Sequence, residues 1–196
     1  AALKHFVDYG IGEGRRASES FDVTLYKANY PDLQELFGDD NTKYVDHYLD
    51  YGINEGRCAN RRILNGISVA SDGKKYYYKN DQVDTSYTGF AAYQGNMYYV
   101  LGGIVSNYTG LINYYGTWYY LQSGSVKWDY TSLVEHSDGA WYYVEKGILN
   151  WNYNGLVEYY GTLYYIQNGY LNWGYSGRIW YNGKWYKIVK GVAQKD

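Results

Sequence analysis

A short motif, glycine followed by two variable residues and paired tyrosines, recurs six times in the C-terminal two thirds of the chain. It reads GKKYY, GNMYY, GTWYY, GAWYY, GTLYY and a degenerate GKWYK, with the glycine at positions 73, 95, 116, 139, 161 and 183. A period this short is the length of one supersecondary unit, which must stack on its neighbours to bury its apolar face. The motif therefore predicts a solenoid of about six stacked repeats of about 22 residues.

Within each copy, apolar and polar residues alternate around a glycine turn, which is typical of β-hairpins. In the third copy TWYYLQ predicts one strand, with Tyr119 and Leu121 holding the stack together. SVKWDY predicts a second strand, with Val126, Trp128 and Tyr130 on one side of it. We therefore predict a mainly β fold, in which residues 63–196 form an array of hairpin repeats.

The N-terminal region carries a longer repeat of a different kind. HFVDYGIGEGRR begins at residue 5 and recurs as HYLDYGINEGRC from residue 47. Pro31 is placed to begin a helix over PDLQELFG, Gly38 to end it, and Asn41 or Thr42 to cap the next one. The sequence predicts a small all-α region over residues 1–62, with one and a half copies and about three short helices per copy.

Charge and composition exclude several classes of function. The net charge is −2 and the basic clusters, residues 15–16 and 57–62, are short, so we expect no nucleic-acid partner. No apolar run approaches the roughly 20 residues of a membrane helix, so we expect no membrane insertion. Cys58 stands alone, and His5 and His47 occur once per helical copy, which disfavours a disulfide and a metal site. Carboxylates are spread over a periodic surface, and His136, at a repeat junction, is expected to pack. The sequence therefore predicts a protein that is not an enzyme, with no catalytic residue, cofactor or metal.

The aromatic content points to a binding surface. Thirty tyrosines and seven tryptophans outnumber four phenylalanines, and rings with a polar edge suit sites that are partly apolar and partly wet. Some rings must form the core, but others can line grooves between repeats, with Asn150, Asn152, Asn172 and Gln167 near them as hydrogen-bonding groups. The candidate ligand-binding residues are Trp118, Trp128, Tyr130, Trp141, Trp151, Tyr153, Trp173, Tyr175 and Trp185. Several weak sites at a fixed pitch favour a polymeric ligand.

The repeat G-T-W-Y-Y-L-x-x-G-x-V-x-x-x-Y-T-x-L resembles the choline-binding and related cell-wall-binding repeats of Gram-positive surface proteins. It is also similar to glucan-binding repeats and to the receptor-binding repeats of clostridial toxins. The resemblance covers roughly residues 73–191 and implies a non-catalytic hairpin solenoid with ligands in aromatic cages between successive hairpins. The helical unit resembles a repeat that accompanies such arrays in secreted clostridial proteins. Together these resemblances imply a secreted, surface-associated bacterial protein that is targeted to a cell-wall polysaccharide or another glycan polymer, with its signal peptide outside this fragment.

One departure from the choline type affects the expected ligand. Choline-type repeats carry a cage tryptophan after Thr-Gly, and the matching positions here are Phe90, Leu111, Leu133, Leu156 and Arg178. Because each cation–π contact contributes only about 0.5 to 2 kcal/mol, a missing wall argues against choline and for a glycan. Trp128, Trp151 and Trp173 are additional rings that partly compensate. Two alternatives stay open: a surface adhesin that binds a host protein through its tyrosine-rich face, and a spacer or oligomerisation element.

Overall fold

The computed structural model describes residues 9–13, 16 and 18–194. The chain divides into two compact units, residues 1–65 with 80–82 and residues 66–79 with 83–196. His5 and the rest of the start of the first helical copy lie outside the described residues. That residues 1–62 and 63–196 are separate domains stays a prediction. No helix in the described part of the chain is long and apolar enough to cross a membrane.

The described part of the first unit contains three short α-helices, α1 (Val23–Asn29), α2 (Pro31–Phe37) and α3 (Asn41–His47), and a π-helical turn over Tyr48–Gly52 that follows them. α2 begins at Pro31 and is followed by Gly38 at φ 56°, as the sequence predicts. The N-cap of α3 is Asp40, whose carboxylate accepts a hydrogen bond from the Thr42 N–H at 3.1 Å. The predicted cap at Asn41 or Thr42 is therefore wrong, because the carboxylate just before them takes that role.

His47 serves this unit as a packing residue. Its Nδ1 lies 3.0 Å from the hydroxyl of the buried Tyr26, and its ring contacts Phe37 at a centroid distance of 5.8 Å. No three His, Cys, Asp or Glu side chains in the described ranges come together as a metal site.

The second unit consists of six hairpins, numbered 1 to 6, each with a short third strand. The first strands are β1 (Gly66–Val69), β4 (Gly89–Tyr93), β7 (Gly110–Tyr114), β10 (Ser132–Glu135), β13 (Gly155–Tyr159) and β16 (Gly177–Tyr181). The second strands are β2 (Lys75–Lys79), β5 (Asn96–Leu101), β8 (Thr117–Gln122), β11 (Trp141–Glu145), β14 (Thr162–Gln167) and β17 (Lys184–Val189). The third strands are β3 (Gln82–Val83), β6 (Ile104–Val105), β9 (Ser125–Val126), β12 (Ile148–Leu149), β15 (Tyr170–Leu171) and β18 (Val192–Ala193).

Neighbouring hairpins are joined through the third strand. Ser125 of β9 pairs antiparallel with Tyr98 of β5 in the preceding hairpin, and the Tyr99 N–H donates to the Gly124 carbonyl at 2.9 Å. The full set of pairs is Tyr76 with Ile104, Tyr98 with Ser125, Tyr119 with Ile148, Tyr142 with Tyr170 and Tyr164 with Val192. The result is one 18-stranded antiparallel sheet, and the prediction of a mainly β array of stacked hairpins is confirmed.

The register of the hairpins differs from the sequence prediction. The predicted strand SVKWDY ends at Val126, and residues 127–130 form a turn in which the Tyr130 N–H donates to the Lys127 carbonyl at 3.0 Å. β8 pairs with the shortened strand β9 only through Leu121 with Val126 and Gln122 with Ser125. Its longer pairing is with β7, the strand before it, through a two-residue turn at 115–116 with φ of 49° and 84°, the geometry of a type I′ hairpin. The alternation misleads because Trp128 and Tyr130 reach the hairpin from a turn rather than from a strand.

Candidate ligand grooves between hairpins

A small aromatic cavity lies between hairpins 4 and 5. Its volume is about 100 Å³. The lining residues, which we call the 4/5 groove, are Leu133, Trp141, Tyr159, Tyr164, Leu171 and Trp173. Four of these six side chains are aromatic and none carries a charge. The groove is therefore an apolar cage with several ring faces.

Edge-to-face contacts hold the rings of the 4/5 groove in place. Trp141 meets Tyr159 at a centroid distance of 5.2 Å and an interplanar angle of 67°, and Tyr164 meets Trp173 at 5.9 Å and 80°. Leu133, at the position of the missing choline-type tryptophan, is 0 % exposed and packs in the core. Tyr159 and Trp173 therefore line the groove although the choline-type tryptophan position is occupied by Leu133.

The same positions one repeat earlier form a second aromatic cluster. We call it the 3/4 groove, and its residues are Leu111, Trp118, His136, Tyr142, Leu149 and Trp151. Trp118 contacts His136 at 5.2 Å, His136 contacts Tyr142 at 6.2 Å, and Tyr142 contacts Trp151 at 5.7 Å. The two grooves thus match position by position, except that His136 stands where the 4/5 groove has Tyr159.

The groove between hairpins 1 and 2 holds a cation supplied by the protein itself. Lys75 stands at the position of Trp141, and its ammonium lies 4.5 Å from the ring centroid of Tyr98 and 5.7 Å from that of Tyr93. The ammonium also donates to the Tyr98 hydroxyl at 3.4 Å. These tyrosines correspond to Tyr164 and Tyr159, so an ammonium group here lies on the two rings that border Trp141 in the 4/5 groove.

The remaining grooves are less complete. Between hairpins 2 and 3, Met97 takes the position of Trp141, and Phe90 packs against Tyr114 and Tyr119 at 5.1 and 4.9 Å. Between hairpins 5 and 6, Leu163 takes that position. Tryptophan at both the position of Trp141 and the position of Trp173 therefore occurs in the 3/4 and 4/5 grooves, and we call these two grooves complete.

A family model described as a choline-binding repeat matches residues 86–106, 107–127, 129–150 and 152–172. These four matches confirm that the chain carries repeats of the choline-binding type. The four matched choline-binding repeats span hairpins 2 to 5 and contain the residues of both grooves except Trp151 and Trp173, each of which directly follows a matched range. No curated protein matches the chain.

Several solved structures are similar to this chain. Choline binding protein F from Streptococcus pneumoniae is 25 % identical over 67 % of this chain and 42 % of its own, with a TM-score of 0.33. The choline binding domain of Spr1274 from Streptococcus pneumoniae is 31 % identical over 43 % of this chain and 94 % of its own, with a TM-score of 0.29. Alternansucrase in complex with isomaltotriose is 19 % identical over 67 % of this chain and 11 % of its own, with a TM-score of 0.33. The chain spans less than half the length of choline binding protein F, and no residue role is transferred from these superpositions.

Half-exposed tryptophans lie in the turns that directly follow three of the matched repeats. Trp128, Trp151 and Trp173 are 45 %, 46 % and 48 % exposed. Each is set edge-on to the first tyrosine of its own repeat, at 6.2, 5.7 and 5.9 Å. All three were candidates from the sequence, and their role in ligand binding stays a prediction.

The candidate tyrosines have an internal partner. Tyr130 stacks on Tyr120 at 4.2 Å, and its hydroxyl donates to the Leu133 carbonyl at 2.7 Å. The same arrangement recurs where Tyr153 stacks on Tyr143 and donates to Leu156, and where Tyr175 stacks on Tyr165 and donates to Arg178. These hydroxyls are already used within the repeat, so a ligand would meet only the ring edges.

The polar candidates are also engaged. The Asn150 side-chain amide donates to Glu145 at 2.8 Å, and that of Asn172 donates to Gln167 at 2.7 Å. Backbone N–H groups of the same turns donate to the amide oxygens of Asn150 and Asn172. These amides therefore shape the turns that carry the tryptophans.

The exposed rings that were missed from the sequence include one tryptophan and the tyrosines at two hairpin tips. Trp180 is 60 % exposed and faces Trp185 across hairpin 6 at a centroid distance of 5.5 Å. The Asn-Gly pair between them is a strong two-residue turn signal that would have placed the two tryptophans opposite each other. Tyr115 and Tyr160 lie almost fully exposed at the tips of hairpins 3 and 5, where glycine-type turns made a ring unexpected.

Tyr130 gives the protein an alkaline limit of stability. Burial, with Tyr120 beside it, raises the pKa of Tyr130 to about 12, above its ordinary value of about 10. The unfolded chain therefore loses this proton first, and the stabilisation is complete below about pH 10 and lost as pH rises towards 12. We expect the urea midpoint to fall in this window, and Tyr130→Phe to reduce the fall. At neutral pH, Tyr130→Phe should cost about 1 kcal/mol through the lost hydrogen bond. Tyr115→Phe, at an exposed tip, is the matched control, and an equal response of both variants would contradict the prediction.

Proposed function

We propose that residues 63–196 form a non-catalytic cell-wall or carbohydrate-binding module that holds a secreted bacterial protein on a polymeric glycan. The aromatic grooves between hairpins contact the polymer, and each complete groove takes one small ammonium substituent of it. The observation that carries this proposal is the cavity of the 4/5 groove, with four rings and no charged group in its lining.

The size of the 4/5 groove supports a small substituent. Its volume of about 100 Å³ lies well below the roughly 300 to 1,000 Å³ of sites for drug-sized ligands. An oligosaccharide segment does not fit such a space, whereas a compact headgroup pendant on the chain does. The polymer backbone then runs outside the groove, along the exposed faces of Trp151 and Trp173.

The chemistry of the lining supports a cation. An uncharged ligand gains only apolar burial in such a cage, whereas an ammonium group also gains cation–π attraction from each ring face. Lys75 provides an internal example, since its ammonium lies over Tyr93 and Tyr98 at the equivalent positions. The argument from the sequence against choline rested on the missing tryptophan, and Tyr159 and Trp173 now stand as walls in its place.

Affinity chromatography on two matrices tests this function. At about pH 8 we expect the protein to be retained on an agarose that carries choline and released by free choline, and to pass through cross-linked dextran. Retention on dextran alone would contradict the ammonium ligand and indicate that the grooves bind stacked sugar rings. Failure on both matrices, together with capture by a host protein, would overturn the proposal and favour the adhesin.

A further inference from the structure

The 3/4 groove differs from the 4/5 groove by one titratable ring. The residue that ends the first strand or directly follows it is aromatic and uncharged in hairpins 2, 3, 5 and 6. These residues are Tyr93, Tyr114, Tyr159 and Tyr181. In hairpin 4 the same position is His136. Histidine is the side chain type that ordinarily changes charge between pH 5 and 8, and His136 is the one histidine among the residues of the two complete grooves.

His136 is held inside the groove by rings from both hairpins. Trp118 of hairpin 3 contacts it edge-to-face at 5.2 Å and 81°, and Tyr142 of hairpin 4 at 6.2 Å and 70°. Its Nδ1 is buried and has no hydrogen-bond partner within the described residues, and its Nε2 lies 3.5 Å from the Ser137 hydroxyl. A charge on this imidazole would therefore sit among the rings that form the cage.

Two charged groups of its own hairpin lie near His136. Asp138 lies in the same turn, and the Ala140 N–H, the Tyr142 hydroxyl and, more weakly, His136 lower the pKa of its carboxyl. Glu135 directly precedes His136, and hairpin 3 contributes the uncharged Trp118. Protonation of His136 would add a positive charge beside these carboxylates and so reduce the local negative charge that favours a cationic ligand.

We propose that His136 is a specificity-determining residue that opens the 3/4 groove to an ammonium group only while its imidazole is neutral. The neutral ring completes the cage as Tyr159 does in the 4/5 groove. The imidazolium places a positive charge about 5 Å from Trp118 and repels a second cation. This inference rests on the proposed function, and it predicts two ammonium sites at about pH 8 and one at about pH 5.

Calorimetric titration of the full chain with choline chloride at about pH 5 and about pH 8 tests the proposal. Wild-type protein should lose one of its two sites at the lower pH. His136→Tyr should keep both sites at both values, since four other hairpins carry tyrosine there. The reciprocal Tyr159→His should keep two sites at the higher pH and none at the lower, because both grooves then carry an imidazole.

The possible outcomes separate this inference from the function on which it rests. If choline binds at neither pH, the proposed function is overturned, and the inference with it. Two sites at both pH values in the wild type overturn the inference alone. Loss of a site at low pH in His136→Tyr also overturns it, because another group then controls the groove. His136→Phe, which keeps an aromatic ring without a titratable nitrogen, replaces His136→Tyr if circular dichroism shows that variant to be unfolded.

Discussion

Replacing Trp151 and Trp173 together by alanine should lower the affinity of the protein for isolated Gram-positive cell walls by about a hundredfold. Each tryptophan is one wall of a complete groove, and each cation–π contact contributes about 0.5 to 2 kcal/mol. The two grooves lie in adjacent repeats, so a polymer bound in one groove has a high effective concentration at the other. The losses of affinity from the two substitutions therefore multiply. Each single variant should therefore lose about tenfold.

Folding is not expected to account for this loss. Both side chains are about half exposed and lie on turns, where substitutions usually change stability little. Trp180→Ala is the matched control, because that tryptophan is more exposed and lies outside both grooves. Binding is measured by cosedimentation with cell walls at about pH 8. Wild-type affinity in the double variant, or an equal loss in Trp180→Ala, would show that the grooves are not the binding surface.

The period of the aromatic motif was sufficient to predict the class of the fold. Repeats of this length cannot bury their rings alone, so stacked hairpins followed from the spacing of the glycines before any contact was known. The strand register was not predictable in the same way. Val126, Trp128 and Tyr130 alternate like a strand, but the chain turns after Val126, and alternation alone does not separate a strand from a turn that points its rings back at the sheet.

The candidate grooves were predictable only in part, because each is assembled from two repeats. Trp141 and Trp173 stand out in the sequence, each in a recurring motif. Tyr159 precedes the glycine motif of its own repeat and reaches Trp141 of the repeat before, so only the stacking geometry reveals its role. The sequence likewise predicts only a packing role for His136, because its contact with Trp118 of the preceding hairpin is visible only in the structure.

Gly124→Ala should cost about 3 kcal/mol or more in the free energy of unfolding, the largest effect on stability that we expect from one methyl group. Gly124 has φ 78°, and an added Cβ would overlap the backbone carbonyl of Ser106 in the preceding hairpin. The left-handed conformation costs a non-glycine residue about 1 to 2 kcal/mol, and overpacking against backbone adds about 1 to 3 kcal/mol. The Gly124 carbonyl also accepts the hydrogen bond from the Tyr99 N–H that joins hairpins 2 and 3.

Gly116→Ala separates these two causes. Gly116 has a similar φ of 84° but lies at a hairpin tip with no atom within 4 Å of an added Cβ, so its variant should cost only about 1 to 2 kcal/mol. Urea unfolding followed by tryptophan fluorescence measures both. Because each repeat contacts only its neighbours, Gly124→Ala should weaken the joint between hairpins 2 and 3 while hairpins 4 and 5 still bind choline. Equal costs for the two glycines would mean that the turn conformation, and not the close contact between successive repeats, sets the requirement for glycine at this position of the repeat.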